Sequence, residues 1–428
     1  MGSKRLLPTA VVAVLLAATS CGSRPTYAGA LEGMIGTTGT EVVNEAFLAR
    51  LSGTEAGRAG LVDTDFAAET YDSVVIVALA AEVAGTDGTA LAKEITGVTR
   101  DGTECESFAA CLAVIREGGD PSYVGATGRR PLNEAGEPDT GNYQVETFGA
   151  NDRIDPTKRT FRKGSRPDTM TVTSQPITAN LQGDGVLRIG ALQPKTGRAK
   201  IYLPAVSAGW ELALADIKAA GGVLGQPLEH RTADAGDASD DTGVRGARAL
   251  LADGVDVVIA ANSSAVTLQV IDEIVNAGIP IFSPLNTAPV LTNYADHGLY
   301  FRNLPSDLIQ ADTLAHVIAE RGNRTVSIVA LDDVYGNGLA EQLAKSFETL
   351  GVTLLTTDLY GGATSDFFPI ARRVAAADPD AIVLVSFSEA SRALRAFVVS
   401  GIGPRRKQIF GTDGTTNNTI GELFDAGR

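Results

Sequence analysis

The stretch that decides the fold is QIFGTDGTTNNTIGELFDAGR, residues 408–428. Its first part, QIFGTDG, has the apolar run and glycine-containing end of a buried strand followed by a turn. Its last part, TIGELFDAGR, places Ile420, Leu423 and Phe424 on one face of a short helix. A strand and a helix of this kind normally lead into another strand, so that strand must come from elsewhere in the chain.

Residues 187–428 alternate between apolar strand-like runs and amphipathic helices. LRIGAL (residues 187–192) and AIVLVSF (residues 381–387) are typical of the strands. Near-continuous apolar strands that alternate with helices predict an α/β fold with parallel sheets covered on both faces. Because the rhythm restarts once, we expect two lobes, residues 187–304 and residues 305–428.

The front of the chain has a different order of elements. In residues 31–150, LEGMIGTTG predicts one strand without a neighbour in its own segment, helical segments follow, and NYQVETFG predicts a closing strand. Residues 151–185 are polar and rich in Pro, Thr, Arg and Lys, so we expect a flexible linker. A flexible chain of this length spans about 30 Å, enough to cross the face of a lobe.

Composition excludes some functions. The formal net charge is −15, which argues against nucleic acid as a partner, because phosphates require clustered Lys and Arg. We find no GxSxG or HExxH motif and no His close to Ser263. The acidic run at residues 234–241 lacks the Gly and terminal Glu of a calcium-binding hand loop, and a strand end with a helix start explains it. We therefore predict no enzyme, no metal and no cofactor.

The N-terminus predicts export. In residues 1–20 a charged start precedes an apolar run (residues 6–18) too short to span a bilayer, as in a signal peptide. ATSC at residues 18–21 is similar to a bacterial lipobox, in which Cys21 becomes the lipidated first residue. The alternative is cleavage after AGA at residues 28–30, which releases a free secreted protein.

The other two cysteines lie six residues apart, in CESFAAC. In an exported chain such a close pair predicts a disulfide between Cys105 and Cys111. Within one helix the two would lie on different faces, so we expect Cys105 to precede a helix capped by Ser107. The alternative is two free thiols.

In order and spacing, the motifs of residues 187–428 resemble type I periplasmic solute-binding proteins, specifically the group that serves ABC transporters for branched-chain amino acids, amides and urea. These motifs are IGALQPKTG, AAGGVLGQPL, NSSAVT, IPIFSPLNTAPVLT, FRNLPSD, LDDVYGNGLAE, SDFFPIARRV, PDAIVLVSF and FGTDG. The resemblance implies two lobes joined by a hinge, with the solute between them.

Residues 31–150 resemble the opposite end of the same family, with EGMIGTT, a helix containing Tyr71-Asp72, CESFAAC and a closing GEPDTGNYQVETF. The resemblance implies one circularly permuted binding protein, with residues 31–39 and 131–150 in the second lobe and residues 40–130 in the first. Tandem half-domains or a fusion artefact are the alternatives, but each family element occurs only once.

The resemblance implies a monomeric extracytoplasmic receptor that captures a small polar solute, first of all an amino acid, and delivers it to an ABC permease. Two alternatives remain: a lipoprotein that senses a ligand and signals to a membrane partner, and a receptor for an amide or urea.

An amino acid requires donors for its carboxylate and an acceptor for its ammonium. Ser263 and Ser264 follow a strand and open a helix, where hydroxyls and backbone N–H groups suit a carboxylate; Ser263 could instead be a plain N-cap. Asn286 and Thr287 occupy the matching loop after the next strand, although ordinary turn chemistry also explains them.

The second lobe contributes the remaining candidates by resemblance. Tyr335 matches a ring that covers the ligand, or else is a packed aromatic at a helix start. Asp413 matches an acidic ammonium partner, although an Asx-turn before Gly414 also explains it. The other matched positions are Ser386, Phe387 and, at an aromatic wall of the first lobe, Tyr202. Ser388 stands where some relatives have an aromatic residue, so the identity of the ligand stays open.

Overall fold

The computed structural model describes residues 27–40, 42–167, 171–260 and 263–427. The predicted signal peptide and the predicted lipidation site, Cys21, lie outside these residues.

Strands and helices alternate along most of the described chain. Its strands are β1 Ile35–Thr38, β2 Thr103–Cys105, β3 Pro121–Tyr123, β4 Thr140–Thr147, β5 Thr160–Ser165, β6 Arg188–Gln193, β7 Glu229–Asp234, β8 Val257–Ile259, β9 Ile281–Ser283, β10 Tyr300–Arg302, β11 Thr325–Leu331, β12 Thr353–Tyr360, β13 Ala381–Val385 and β14 Gln408–Gly411. Its α-helices are α1 Glu45–Ser52, α2 Glu55–Arg58, α3 Ala67–Ala84, α4 Phe108–Arg116, α5 Leu203–Ala219, α6 Thr242–Ala252, α7 Ser264–Asn276, α8 Asp307–Glu320, α9 Val334–Leu350, α10 Phe368–Ala377, α11 Ala390–Val399 and α12 Asn418–Asp425. Short 3-10 helices are Thr89–Lys93, Gly97–Thr99, Pro156–Lys158, Arg198–Tyr202 and Pro289–Leu291.

Two sheets form two lobes, which confirms the predicted α/β class. The sheet of lobe 1 is parallel, with strand order β10-β9-β8-β6-β7. The sheet of lobe 2 has the order β12-β11-β13-β14-β1-β4-β5, in which only β4 and β5 run antiparallel to their neighbours. A separate parallel pair joins β2 and β3.

Strand β1 lies in the middle of the lobe 2 sheet, although it comes first in the chain. It pairs in parallel with β14, with Ile35 opposite Phe410, and antiparallel with β4, with Ile35 opposite Thr147. The predicted strand at residues 31–39 is therefore the one that continues the strand-and-helix unit of residues 408–425. The four residues of β1 are all buried, as expected of a strand covered on both faces.

Each lobe has its own hydrophobic core, and the front of the chain contributes to both. Helices α1, α3 and α4 pack into the core of lobe 1, whereas Leu31, Met34 and Phe148 pack into that of lobe 2. Every residue of α3 from Ala67 to Ala81 is buried. Residues 74–81 are apolar on every side, whereas the buried Asp72 accepts a hydrogen bond from Tyr123 Oη. In the described part of the chain, no helix is long and apolar enough to cross a membrane.

The segment predicted as a flexible linker is built into the structure. Strand β5 extends the lobe 2 sheet by pairing with β4. Further on, residues 173–185 form a strap along lobe 1: Thr89 N donates to the Leu181 carbonyl, and Gly185 N donates to Asp87 Oδ1. The polar residues that suggested a free linker instead make main-chain and side-chain hydrogen bonds to both lobes.

Two local predictions have different outcomes. The disulfide between Cys105 and Cys111 is present, with a Cα–Cα distance of 5.2 Å, and Ser107 caps α4 by accepting from Ala110 N. Among the helical segments expected in residues 31–150, the stretch ALAKEITGV at residues 90–98 does not form an α-helix but lies in two 3-10 turns. Its β-branched residues and Gly97 disfavour an α-helix.

A buried ion pair fastens the front segment to lobe 1. Arg302, at the end of β10, is fully buried, and its Nε donates to Glu137 Oε2 at 2.8 Å. Arg302 Nη1 also donates to the Ala288 carbonyl at 3.1 Å. Removing one member of a buried pair leaves the other charge without compensation.

We therefore expect Arg302→Met to lower the free energy of unfolding by about 3–5 kcal/mol, as denaturant titration would measure. The double variant Arg302→Met/Glu137→Gln should lose clearly less, because no uncompensated carboxylate remains. Arg248→Met, which breaks an exposed pair with Glu273, is the control and should leave the midpoint unchanged. Equal losses from the single and double variants would contradict this account.

Candidate functional site

A small cavity lies between the two lobes, next to the carboxyl ends of the strands, where open α/β sheets bind ligands. Its volume is about 10 Å³, roughly what a single water molecule needs. Both lobes contribute to its lining, which consists of Phe66, Tyr202, Ser263, Ser264, Leu285, Thr287, Tyr335, Phe387, Asp413 and Gly414. Seven of the nine predicted ligand residues are in this set.

The lobe 1 wall is the N-terminus of α7. Ser263 is the N-cap residue of α7, but its side chain makes no capping hydrogen bond. The alternative that its hydroxyl serves only to cap the helix therefore does not hold. Ser264 Oγ accepts from Ala288 N at 3.2 Å. The first N–H groups of a helix lack partners within the helix and carry a partial positive charge. This wall therefore suits an anion.

The opposite wall is Asp413, which follows β14 and is only 6% exposed. Its Oδ1 accepts from Tyr335 Oη at 2.6 Å and from Gly414 N at 2.9 Å. No described residue donates a hydrogen bond to Oδ2. Burial raises the pKa of Asp413, and the hydrogen bonds from Tyr335 and Gly414 lower it only partly. This wall therefore suits a cation, which would replace the missing solvation.

Aromatic rings close the space between these two walls. Tyr335 and Phe387 lie 5.1 Å apart, and Phe66 meets Tyr202 edge to face at 4.8 Å. Tyr202 also links the lobes, because its hydroxyl donates to the Asp413 carbonyl at 3.2 Å. Together with Leu285, the rings give the cavity an apolar lining between its two polar walls.

Two predicted ligand residues lie outside the cavity lining. Asn286 is fully buried, and its Oδ1 accepts from Thr267 Oγ1 at 2.7 Å and from Tyr300 Oη at 3.2 Å. Ser386 is also fully buried, and its Oγ accepts from Tyr360 Oη at 2.6 Å. These hydrogen bonds hold each side chain within its own lobe.

Sequence reasoning missed Phe66, Leu285 and a second carboxylate, Asp307. Phe66 has a left-handed backbone (φ 67°), which is rare for a bulky residue and leaves no sequence signal. Asp307 is fully buried, and neither of its side-chain oxygens has a hydrogen-bond partner. Burial and the charge of Asp413 both raise the pKa of Asp307. The helix-start pattern of LPSD marks its position but not its burial.

The acidic run after β7 has a structural role. Asp234 accepts from Thr196 and from Gly236 N, and Asp240 accepts from Thr242 N. Hydrogen bonds from these donors lower the pKa of both carboxyls, as in ordinary turn and helix-start contacts. Within the described ranges, no group of three or more His, Cys, Asp or Glu could hold a metal ion.

Known proteins share sequence similarity with this chain. The profile of a family described as periplasmic binding protein matches residues 186–425. A Leu/Ile/Val-binding protein of Rhizobium johnstonii is 29% identical over 200 residues, which are 46% of this chain and 53% of the relative. The leucine-, isoleucine-, valine-, threonine- and alanine-binding protein of Pseudomonas aeruginosa is 30% identical over 183 residues, 42% of this chain and 48% of the relative.

Among solved structures, the substrate binding protein of a branched-chain amino acid transporter from Streptococcus pneumoniae, in complex with isoleucine, is 23% identical with a TM-score of 0.49. That match covers 56% of this chain and 67% of the other. The chain spans about half the length of the two relatives above. The family profile matches more than half of the residues of this chain, which therefore belongs to the periplasmic binding protein family.

Proposed function

We propose that the protein captures a free amino acid with an apolar side chain between its lobes and delivers it to the permease of an ABC importer. One observation carries this proposal: the anion-binding start of α7, with Ser263, faces the buried Asp413 across one small cavity. A zwitterion has the matching pair of charges. Relatives named as Leu/Ile/Val-binding proteins support the same ligand class.

The apolar lining selects among amino acids. Phe66, Leu285 and Phe387 offer contacts to a hydrocarbon side chain and no partner for a charged one. A neutral amide or urea would leave the Asp413 carboxylate without a cation, so these solutes fit less well. At about 10 Å³, the cavity must widen by separation of the lobes before an amino acid can enter.

The family is extracytoplasmic, and we propose in addition that Cys21 anchors this member to the membrane. Tyr27, the first described residue, packs against Phe424 of lobe 2 at 6.2 Å. A lipid on Cys21 would therefore tether the protein through lobe 2. The sequence similarity to a lipobox is the support for this anchor.

We also propose that the chain is a circular permutation of one binding protein. The family profile covers residues 186–425, whereas β1, β4, α1, α3 and α4 from the front segment complete both lobes. Residues 31–39 and β4 then belong to lobe 2, residues 40–130 to lobe 1, and residues 151–185 join the two ancestral ends. Residues 131–139, which were expected in lobe 2, instead lie against lobe 1 through Leu132 and Glu137. Strand β1 lies beside β14, as this order requires.

Moving residues 27–150 behind residue 427, through a flexible glycine- and serine-rich connection, tests the permutation. We expect the rearranged chain to keep the far-UV circular dichroism spectrum and cooperative unfolding of the natural chain, because every strand pairing remains possible. A matched control carries the same move with the order of residues 27–150 scrambled and should not fold. If the rearranged chain is unfolded, the front segment is not the displaced end of the same fold.

Calorimetric titration with L-leucine, L-isoleucine and L-valine tests the function. We expect binding near micromolar Kd, which is about −8 kcal/mol. Isoamylamine and isocaproic acid, which lack the carboxylate and the ammonium respectively, should bind far more weakly, as should acetamide and urea. Failure of every amino acid to bind would refute the proposed ligand class.

Replacing Asp413 by Asn should weaken L-leucine binding by about 2–5 kcal/mol, because the ammonium loses its buried charged partner. The same change should leave the ligand-free protein at least as stable at pH 7, since it removes a carboxylate whose burial is unfavourable. A melting curve therefore separates lost binding from lost folding. Arg248→Met serves as a remote control.

Binding should also depend on pH in a defined direction. Burial raises the pKa of Asp413. The titratable groups that its charge affects in turn are Asp307, Tyr143, Tyr202 and Tyr335. An ammonium needs the ionised carboxylate, so the affinity for the amino acid should follow the charge of Asp413. It should fall on acidification, beginning at a higher pH than for an ordinary Asp. In Asp413→Asn the remaining affinity should lose most of this dependence, and an unchanged pH profile would contradict the role of Asp413.

A further inference from the structure

A contact across the cleft links the two lobes outside the solute cavity. Arg198 follows β6 in lobe 1 and begins the 3-10 helix that ends at Tyr202. Its Nη1 donates to the Gly362 carbonyl at 3.4 Å, and Gly362 follows β12 in lobe 2. Arg198 thus touches the second lobe only four residues before the side chain that lines the cavity.

Arg198 is oriented from within lobe 1. Asp237, after β7, lies 3.7 Å from its Nη1, and both side chains are mostly buried, at 17% and 18% exposure. The same Nη1 lies near Asp237 and donates to the Gly362 carbonyl, so one end of the planar guanidinium lies between the two lobes.

The surface that Arg198 meets on lobe 2 is acidic. Glu389 is 3% exposed, and its Oε1 accepts from Tyr360 Oη at 3.0 Å, whereas its Oε2 is buried without a partner. Burial raises the pKa of Asp333, and the positive charge of Arg198 offsets part of that rise, so this carboxylate lies within the field of the guanidinium. Arg198 Nε is likewise buried without a partner. The positive charge of Arg198 therefore attracts this side of lobe 2.

We propose that Arg198 is a positioning residue that favours the closed arrangement of the two lobes by bonding the Gly362 carbonyl. The inference rests on the proposed capture of a solute between the lobes. Arg198 does not line the cavity and so sets how long a solute stays rather than which solute binds. A ligand is released only when the lobes part, and each contact that exists only in the closed form slows that step.

The chain offers a matched pair of glycines for the test. A Cβ on Gly362 would lie 2.4 Å from Arg198 Nη1, whereas a Cβ on the neighbouring Gly361 would meet nothing within 4 Å. Neither glycine has the positive φ that only glycine adopts easily. Gly362→Ala therefore pushes the guanidinium away without changing any charge, and Gly361→Ala is its control.

The first measurement is the dissociation rate of L-leucine from the full chain by surface plasmon resonance. We expect Arg198→Ala and Gly362→Ala each to raise the rate about tenfold, the order of effect of one hydrogen bond to a charged group. The double variant should be no faster than Arg198→Ala, because both changes remove the same contact. Gly361→Ala should match the wild type. Additive effects, or equal effects of the two glycine variants, would overturn the proposal.

The second measurement needs no ligand and separates this proposal from the proposed function. Small-angle X-ray scattering of the ligand-free proteins should show a larger radius of gyration for Arg198→Ala and Gly362→Ala than for Gly361→Ala and wild type. If L-leucine fails to bind but this difference is present, the contact holds the lobes and only the ligand class is wrong. If all four proteins scatter alike, Arg198 does not hold the lobes closed, whatever the ligand.

Discussion

The insertion of β1 between β14 and β4 is the constraint on which the rest of lobe 2 depends. Without β1, the N–H and C=O groups of β14 would face a buried gap, and unpaired main-chain groups are costly there. Strand β14 leads directly into the loop that carries Asp413. The first strand of the chain therefore fixes the position of a carboxylate almost four hundred residues later, and that carboxylate forms one wall of the cavity.

The burial of two carboxylates near this wall of the cavity costs lobe 2 folding free energy. Asp413 and Asp307 are both buried, which raises the pKa of each, and the charge of Asp413 raises the pKa of Asp307 further. A sequence selected only for stability would place apolar or paired groups at such positions. Unfavourable burial of this kind is common where a protein keeps a site ready for a charged ligand, because the ligand then supplies the missing partner.

The sequence predicts more of the fold than of the site. Apolar strands, helix faces and the cysteine pair follow local patterns, so the α/β class, the buried α3 and the disulfide could be predicted. Strand β5 could not, because KRTFRKGS has no alternating apolar face and pairs through its main chain at the edge of the sheet. Position in a matched loop led to Ser263 and Asp413. It could not distinguish Asn286, which turns into its own lobe, from Thr287, which lines the cavity. Phe66 depends on a backbone conformation that its neighbours impose.

The two sides of the cleft differ in electrostatic sign. Lobe 1 presents the start of α7 and the guanidinium of Arg198, whereas lobe 2 presents Asp413, Asp333 and Glu389. Closure brings these opposite signs together and removes water from between them, which strengthens their attraction. A zwitterion bound between the lobes as proposed would continue the same pattern, with its carboxylate toward lobe 1 and its ammonium toward lobe 2. The electrostatic attraction that closes the lobes would therefore also favour this orientation of the solute. A solute bound in the reverse direction would oppose it.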